Sequence, residues 1–423
     1  MSKTPALFLT VMTLLLGLFP ATGWALPSYS VENLGAMISA ADSSALGISY
    51  VNQNVYVVGE YQTTLSSPMT GFLYSVPASQ IGTAGAGSFN NIGLANDGAF
   101  TAVSNIGMAV SANGNITGLE GSAGDPNPFN AAGYRSYTSS VASPGTVSVA
   151  APGANTQGFS INNSGMVVGQ MDSGPTQQAF VATGSTVTNL GRGGTSYAQA
   201  VNNMASPQVI GQDTWNGQLQ ATLWTVSSSG SLLRETNLSA ASNNPSMAKG
   251  LNNSNLVVGY DTVNGVDHAV QWTLNGGVWT QSDLNLANLG TIGFSHAFSV
   301  NDSGIIVGEY DAVSDGQDPT QAFIYNSNGT TVDGLAPDTA YDLASLIGSD
   351  PFDSLESVAF ITELDIPGIE NALAGVGMVD GQEQAFLAWD PQADPVPEPG
   401  SLALLGLGLL GFGLIRRAGL TRL

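Results

Sequence analysis

Carboxylates are the side chains in this sequence whose types and spacing come closest to a chemical site. Glu309, Asp311, Asp315 and Asp318 fall within ten residues, around Gly316. Oxygen ligands two to four residues apart beside a glycine are suited to Ca²⁺. Asp311, Asp315 and Asp318 are therefore the candidate ligands for Ca²⁺, and no other cofactor is predicted. The spacing departs from the D-x-[DN]-x-[DN]-G loop, and the alternative is a set of solvated acids on an exposed loop.

The two histidines, His268 and His296, occupy repeat positions at which other copies carry Gln or Tyr. Such positions are structural, so no catalytic residue is predicted and the protein is expected not to be an enzyme. Ser295 lies in a stretch that superficially resembles a nucleophile elbow, but it recurs in another copy as Ser196. Two histidines and no cysteine are too few for a zinc or iron site. A glycosidase with paired acids stays open, because carboxylate separation cannot be read from sequence.

Composition excludes several classes of function. The formal net charge is −23, and only 9% of residues are charged, against about 25% in ordinary soluble proteins. Outside the terminal segments the basic residues are Arg135, Arg192, Arg234 and Lys249. Four scattered cations cannot displace the counterions of a nucleic acid, so DNA and RNA are excluded as partners. High glycine content with uncharged polar residues favours short strands and tight turns.

The N-terminal segment has the features of a secretory signal peptide. Lys3 precedes a short apolar run, and small residues stand three and one positions before a cut after Ala25. Cleavage there would leave Leu26 as the new N-terminus. The alternative is an uncleaved anchor helix.

The C-terminal segment has three parts in a fixed order. Pro397, Glu398 and Pro399 stand in a linker over residues 391–400, an apolar block follows over 401–415, and Arg416 and Arg417 end it. A helix of this block would extend about 22 Å, against a hydrocarbon core of about 30 Å. The arginines would stay in the cytoplasm and the tripeptide would lie outside. Residues 401–423 are therefore predicted as a short transmembrane helix with a basic tail.

This order closely resembles the PEP-CTERM sorting signal of Gram-negative bacteria. The resemblance implies that exosortase, a membrane protease and transpeptidase, recognises Pro397-Glu398-Pro399 and removes the helix. The helix would then occupy the inner membrane only transiently. It also implies delivery to the cell surface or release, in bacteria that make exopolysaccharide. The alternative is a permanent anchor with a single span.

A repeat fills the region between the two ends. Its copies share a tight turn around an Asn-x-Gly sequence and a strand that ends in glycine. The repeated glycines are spaced by about 50 residues, a length typical of propeller blades: Gly59, Gly118, Gly169, Gly211, Gly259, Gly308 and Gly377. Most copies contain a later H/Q-A-F-like strand, and three end in an Asn-Leu-Gly-like tag, such as Asn189-Leu190-Gly191 and Asn288-Leu289-Gly290.

The copies predict an all-β fold, a β-propeller of seven blades with four strands each, over residues 26–390. Small residues on the first two strands would let the backbones converge near the axis. The aromatic residues of the third strands would fill the space between blades. An Asn33-Leu34-Gly35 tag precedes the first copy, and the last copy ends at Trp389 without a fourth strand. Residues 30–34 are therefore predicted to supply the outer strand of the last blade.

The pattern S-x-A-x-x-I-N-x-x-G-x-V-V-G followed by H/Q-A-F resembles the HAF family of extracellular repeats. This resemblance implies architecture and no particular activity. We predict an exported surface or matrix protein without catalysis, related to exopolysaccharide and biofilm. The alternatives are a secreted carbohydrate-active hydrolase with a site at one mouth of the ring, and a Ca²⁺-dependent adhesin.

Overall fold

The computed structural model describes residues 26–94, 102–122, 133–150, 155–312, 320–366 and 369–391. The predicted signal peptide, including Ala25, lies outside these residues, whereas Leu26 is the first of them. Pro397, Glu398, Pro399, Arg416 and Arg417 also lie outside them, together with the predicted apolar helix. Among the described residues, no helix is long and apolar enough to cross a membrane.

The described chain forms seven antiparallel sheets of four strands each, which we number as blades 1 to 7. Blade 1 contains β2 (Asp42–Val51), β3 (Asn54–Gln62), β4 (Thr70–Pro77) and β5 (Ser88–Asn91). Blade 2 contains β6 (Ala102–Val110), β7 (Asn115–Ser122), β8 (Tyr134–Ser140) and β9 (Ser148–Val149). Blade 3 contains β10 (Thr156–Ile161), β11 (Val167–Ser173), β12 (Thr176–Thr183) and β13 (Thr186–Asn189).

The remaining blades continue in chain order. Blade 4 contains β14 (Ser196–Val201), β15 (Gln208–Trp215), β16 (Gln218–Val226) and β17 (Leu232–Asn237). Blade 5 contains β18 (Ser246–Leu251), β19 (Leu256–Val263), β20 (Val266–Asn275) and β21 (Val278–Asp283). Blade 6 contains β22 (Ser295–Val300), β23 (Ile305–Tyr310), β24 (Gln321–Asn326) and β25 (Thr339–Asp342). Blade 7 contains β26 (Ser354–Ile366), β27 (Ile369–Val379), β28 (Gln382–Pro391) and β1 (Ser30–Asn33).

Short helical segments stand only at the connections of the described chain. They are α1 (Leu34–Met37) and three 3₁₀ turns over Ala78–Gln80, Ala287–Leu289 and Ala344–Leu346. Asn33 caps α1 through its side chain, which accepts a hydrogen bond from the Ala36 N–H at 2.8 Å.

The predicted fold class and blade number are confirmed, and so is the closure of the ring. Ser30 to Asn33 pair antiparallel with Trp389 to Phe386, which makes β1 the outer strand of blade 7. The first strands of neighbouring blades contact one another around the axis, including β2 with β26. Because the ring is closed, every blade has a neighbour on both sides, and no sheet face between blades is left exposed.

The repeated glycine of each blade has a steric cause. Opposite it, the first strand carries a β-bulge, for example between Ala297 and Ser299 in blade 6. A Cβ on Gly308 would lie 2.0 Å from the backbone oxygen of His296. The equivalent distances in the other blades are between 1.8 and 2.1 Å. Only glycine fits beside the carbonyl of the bulged strand at this distance.

Register also corrects two repeat assignments. Phe323 pairs with Gly308 in blade 6, and Phe386 pairs with Gly375 in blade 7. The repeated glycine of blade 7 is therefore Gly375, not Gly377. In blade 5 the end of the fourth strand is Asp283, not Asn288. A longer connection over residues 284–294 separates Asn288 from that position.

The hydrophobic core lies between blades, as predicted for the aromatic residues of the third strands. Trp224 of blade 4 packs with Val168 and Val181 of blade 3. Trp272 of blade 5 packs with Ile210 and Leu223 of blade 4. Both tryptophans are fully buried. Each blade therefore depends on its neighbours for the burial of its faces.

Candidate functional site

At four of the junctions between blades, the serine of the S-x-A motif ties its blade to the one before it. Its Oγ accepts a hydrogen bond from the backbone N–H of the alanine in the preceding H/Q-A-F motif. These bonds measure 2.9 to 3.0 Å between Ala179 and Ser196, Ala221 and Ser246, Ala269 and Ser295, and Ala385 and Ser43. Thr156 and Asn105 accept the equivalent bonds from Ser136 and Gly71. Ser295 is thus buried and engaged with the backbone, which is not the environment of an exposed nucleophile.

The Asn turns form a second set of ties, at the end of the ring where the first strand meets the second. Asn162 accepts hydrogen bonds from the N–H groups of Ser164 and Met166 and so caps its own turn, as predicted. The next residue of each turn reaches the following blade. In each bond a backbone N–H donates to a side-chain oxygen of the following blade. The donor and acceptor residues are Asn113 and Asn163, Asn163 and Asn203, Asn203 and Asn253, and Asn253 and Asp302.

Ionisable side chains cluster at the opposite end of the ring, between blades 5 and 6. His296 lies between two carboxylates, with Nδ1 2.8 Å from Glu309 Oε1 and Nε2 3.1 Å from Asp267 Oδ2. Its ring centroid lies 4.5 Å from that of Tyr260. The amine of Lys249 lies 5.8 Å from the Phe298 ring on the same two blades. We call His296, Asp267, Glu309, Tyr260 and Lys249 the mouth cluster.

Electrostatics fixes what the mouth cluster can do. Burial lowers the pKa of His296, but its hydrogen bonds with Glu309 and Asp267 outweigh burial and raise the pKa above the ordinary value. An imidazole donates to a carboxylate from both nitrogens only in its protonated form, and the raised pKa favours that form. An imidazolium has no lone pair for a metal or for general-base catalysis. Burial also lowers the pKa of Lys249, although the Glu309 charge opposes this effect.

A second group of charges lies in blade 4 and its preceding connection. Burial and a hydrogen bond with Glu235 raise the pKa of Asp213 to about 7. The Arg192 guanidinium lies 3.2 Å from Glu235 and 4.1 Å from the centroid of the Trp215 ring. Glu235 therefore acts on the Asp213 carboxyl and also pairs with Arg192.

A cleft of about 420 Å³ opens between blades 5 and 6 beside the mouth cluster. Asp267 and Phe294 line it and also contact His296. His268 lines it as well and is exposed. In other blades the glutamine at this motif position is engaged, for example Gln178, which donates to the Gly194 carbonyl. At the cleft, the side chain at this motif position therefore lacks, among the described residues, the hydrogen bond that Gln178 makes in blade 3.

The predicted Ca²⁺ ligands are only partly within the described structure. Asp311 is 3% exposed, and its backbone exchanges hydrogen bonds with Gly293 and Phe294 at the cleft. Asp315 and Asp318 lie outside the described residues, so the Ca²⁺ site stays a prediction. In the described part of the chain, no group of three or more His, Asp or Glu side chains is placed to hold a metal ion.

Comparison with known proteins identifies the C-terminal segment. The PEP-CTERM protein-sorting motif matches residues 395–417, which include the Pro-Glu-Pro tripeptide and both arginines. No curated protein matches the sequence. The motif implies an exported protein that is associated with the cell surface and processed by exosortase.

Several solved structures are similar to the chain at low identity. A puromycin-hydrolyzing peptidase from Mycobacterium tuberculosis aligns over 89% of this chain and 58% of its own, with 10% identity and a TM-score of 0.46. The β-propeller domain of the Trilobed protease from Pyrococcus furiosus aligns over 85% of this chain and 99% of its own, with 8% identity and a TM-score of 0.44. Trypanosoma rangeli sialidase with sialic acid aligns over 82% and 54%, with 8% identity and a TM-score of 0.42.

Proposed function

We propose that this protein is exported, cut by exosortase at Pro397-Glu398-Pro399 and placed at the cell surface or in the extracellular matrix. There its propeller, built from HAF-type repeats over residues 26–390, binds exopolysaccharide without cleaving it. The observation that carries the export and processing is the sorting motif at residues 395–417. The terminal helix holds the chain in the inner membrane only until it is processed.

Three features of the site support binding rather than catalysis. Ser295 is hydrogen-bonded to the backbone of the neighbouring blade. His296 has both ring nitrogens engaged by carboxylates. Asp213 is fully buried and accepts hydrogen bonds from the backbone of Arg192 and Thr214. These three side chains are therefore occupied in holding blades or strands together.

The experiment uses exopolysaccharide purified from the host and the protein recovered from the cell surface. Sedimentation measures how much protein accompanies the polymer, and a reducing-end assay on the same samples measures cleavage. We expect co-sedimentation that saturates with polymer concentration and no new reducing ends. New reducing ends that increase with time would establish the hydrolase instead. Protein that stays in the supernatant would overturn the binding role.

A further inference from the structure

A groove on the outer side of the ring runs between the last strands of blades 4 and 5. It encloses about 800 Å³ and is lined by Arg234 and Thr236 on one wall and by Trp279, Gln281 and Asp283 on the other. Asp283 also lines the cleft of about 420 Å³ between blades 5 and 6. The two concavities therefore meet at Asp283. Each alone has the volume of a small-molecule site, and together they form a longer path over blade 5.

The lining of this path combines apolar surface with neutral polar groups. Trp279 is half-buried, and Val278 beside it is 66% exposed. Hydroxyl side chains stand along the same groove, including Thr236 and Thr280, whereas the amides of Asn237 and Gln281 are engaged with other residues of the protein. An aromatic ring offers a flat apolar surface, and hydroxyl and amide groups both donate and accept hydrogen bonds. A sugar ring presents the matching chemistry, with C–H groups on its faces and hydroxyls at its edge.

Charge decides which polymer fits the groove. Of the described cations, Arg135 is buried 2.7 Å from Glu120, Arg192 is paired with Glu235, and Lys249 is half-buried near Phe298. Arg234 is exposed and lies in the groove, but Asp283 offsets its charge. The whole chain carries a net charge of −23. A polyuronate, with one carboxylate on each sugar, would be repelled by this field and would find little to pair with.

We propose that this path binds an extended chain of neutral, hydroxyl-rich sugars, with Trp279 beneath one ring and Asp283 at the junction of the two concavities. This proposal rests on the proposed function, because it names the part of the propeller that binds exopolysaccharide. An extended peptide paired with the edge of β21 is the competing occupant.

The test measures dissociation constants of the surface-recovered protein for three hexasaccharides: a neutral β-glucan, a glucosamine oligomer and a polyuronate. Ala241, an exposed residue of the groove, is changed to Trp to fill it, and Trp279→Ala removes the ring. Leu65→Ala is the control, because Leu65 is 63% exposed on blade 1. Thermal unfolding of each variant shows that it folds. Ala241→Trp keeps the test valid if Trp279→Ala fails to fold.

We expect the neutral hexasaccharide to bind best, and Ala241→Trp and Trp279→Ala each to weaken it roughly tenfold or more. Leu65→Ala should leave binding unchanged. Tighter binding of the polyuronate or of the glucosamine oligomer would overturn the ligand class. If a folded Ala241→Trp protein binds the host polymer as well as the unchanged protein does, the groove is not the binding site. The proposed function would still stand. Displacement of the hexasaccharide by extended peptides at equal concentration would assign the groove to a protein partner.

Discussion

Ser43 and Ala385 are 342 residues apart in the chain, and the Ala385 N–H donates a hydrogen bond to the Ser43 Oγ at 3.0 Å. Both residues are fully buried. The bond joins blade 7 to blade 1 in the same way that serines join successive blades elsewhere in the ring. It acts together with the pairing of β1 and β28, so the two ends of the propeller are fastened at both the inner and the outer strands.

Replacing Ser43 with alanine should weaken this closure. The change leaves the buried Ala385 N–H without an acceptor, which costs about 1–3 kcal/mol. Urea unfolding measures the loss, and Ser229→Ala on an exposed loop is the control. A Ser43→Ala protein as stable as the control would show that this bond does not hold the ring.

The bulge geometry predicts an asymmetry between two glycines of blade 6. A Cβ on Gly308 would meet the His296 carbonyl at 2.0 Å, whereas one on Gly329 would meet no atom within 4 Å. Gly308→Ala should therefore lower the unfolding free energy by about 1–3 kcal/mol or more, since the strands must move apart. Gly329→Ala should change it by less than about 0.5 kcal/mol. Equal effects in thermal unfolding would contradict the steric account of the repeated glycine.

The raised pKa of Glu60 predicts that the free energy of unfolding falls as pH rises. Burial, and then the nearby charges of Asp42 and Glu383, raise its pKa from 4.5 to about 7, although a hydrogen bond with Ser44 opposes the shift. The folded state therefore holds a proton that the unfolded state loses above its ordinary pKa. Stability should decrease between about pH 4.5 and 7. Glu60→Gln should match the wild type at pH 5 and exceed it by about 1–3 kcal/mol at pH 8.

The measurement for Glu60 is a series of urea titrations between pH 5 and 8. Asp380→Asn on an exposed turn is the control for the removal of one negative charge. A Glu60→Gln curve parallel to that of the wild type over the whole range would contradict the raised pKa.

The raised pKa of His296 also predicts that stability falls as pH rises, but here the stabilising form is the protonated cation. Its raised pKa means that the stabilisation is complete below about pH 6.5 and is lost as pH rises through the folded-state pKa. His296→Gln removes two charge-assisted hydrogen bonds and should cost about 1–3 kcal/mol at pH 6. At pH 9 the cost should be smaller. An equal cost at both pH values, measured by urea unfolding, would show that the imidazolium does not tie blade 5 to blade 6.

Calcium distinguishes the predicted loop site from solvated acids. If Asp311, Asp315 and Asp318 bind Ca²⁺, saturation at 100 times the dissociation constant should stabilise the fold by about 2.7 kcal/mol. Thermal unfolding with millimolar Ca²⁺, and then with excess chelator, measures this gain and its reversal. Asp315→Asn should abolish the gain. An unchanged midpoint with Ca²⁺ would contradict the predicted site.

The repeats could be predicted from sequence because their local rules are strong. An Asn-x-Gly turn needs a left-handed residue, and Asn255, with φ of +61°, takes the role that Gly304 has at +84°. Closure by β1 followed from the unmatched tag at Asn33. The bulge opposite Gly308 could not be predicted, because it depends on the register of two strands. The junction bonds of Ser43 and Ser295 were missed, although the recurrence of serine two positions before alanine was visible in the sequence.

The mouth cluster was beyond prediction for a different reason. His296 and Glu309 lie in one hairpin, but Asp267 comes from the preceding blade, and the sequence does not show that its carboxylate reaches the second ring nitrogen. The path through Asp283 depends on the shape of two neighbouring inter-blade gaps. Both features arise where a variable loop meets a regular blade, and repeat patterns contain no information on such loops.

The mass of the C-terminal peptide of the protein recovered from the cell surface of its host tests whether exosortase processes the chain. We expect a protein that is outside the cell and lacks the apolar residues 401–415. We also expect that Glu398→Ala leaves the full-length chain in the inner membrane. An intact C-terminus that ends in Leu423 on the surface protein, unaffected by Glu398→Ala, would contradict processing at the sorting motif.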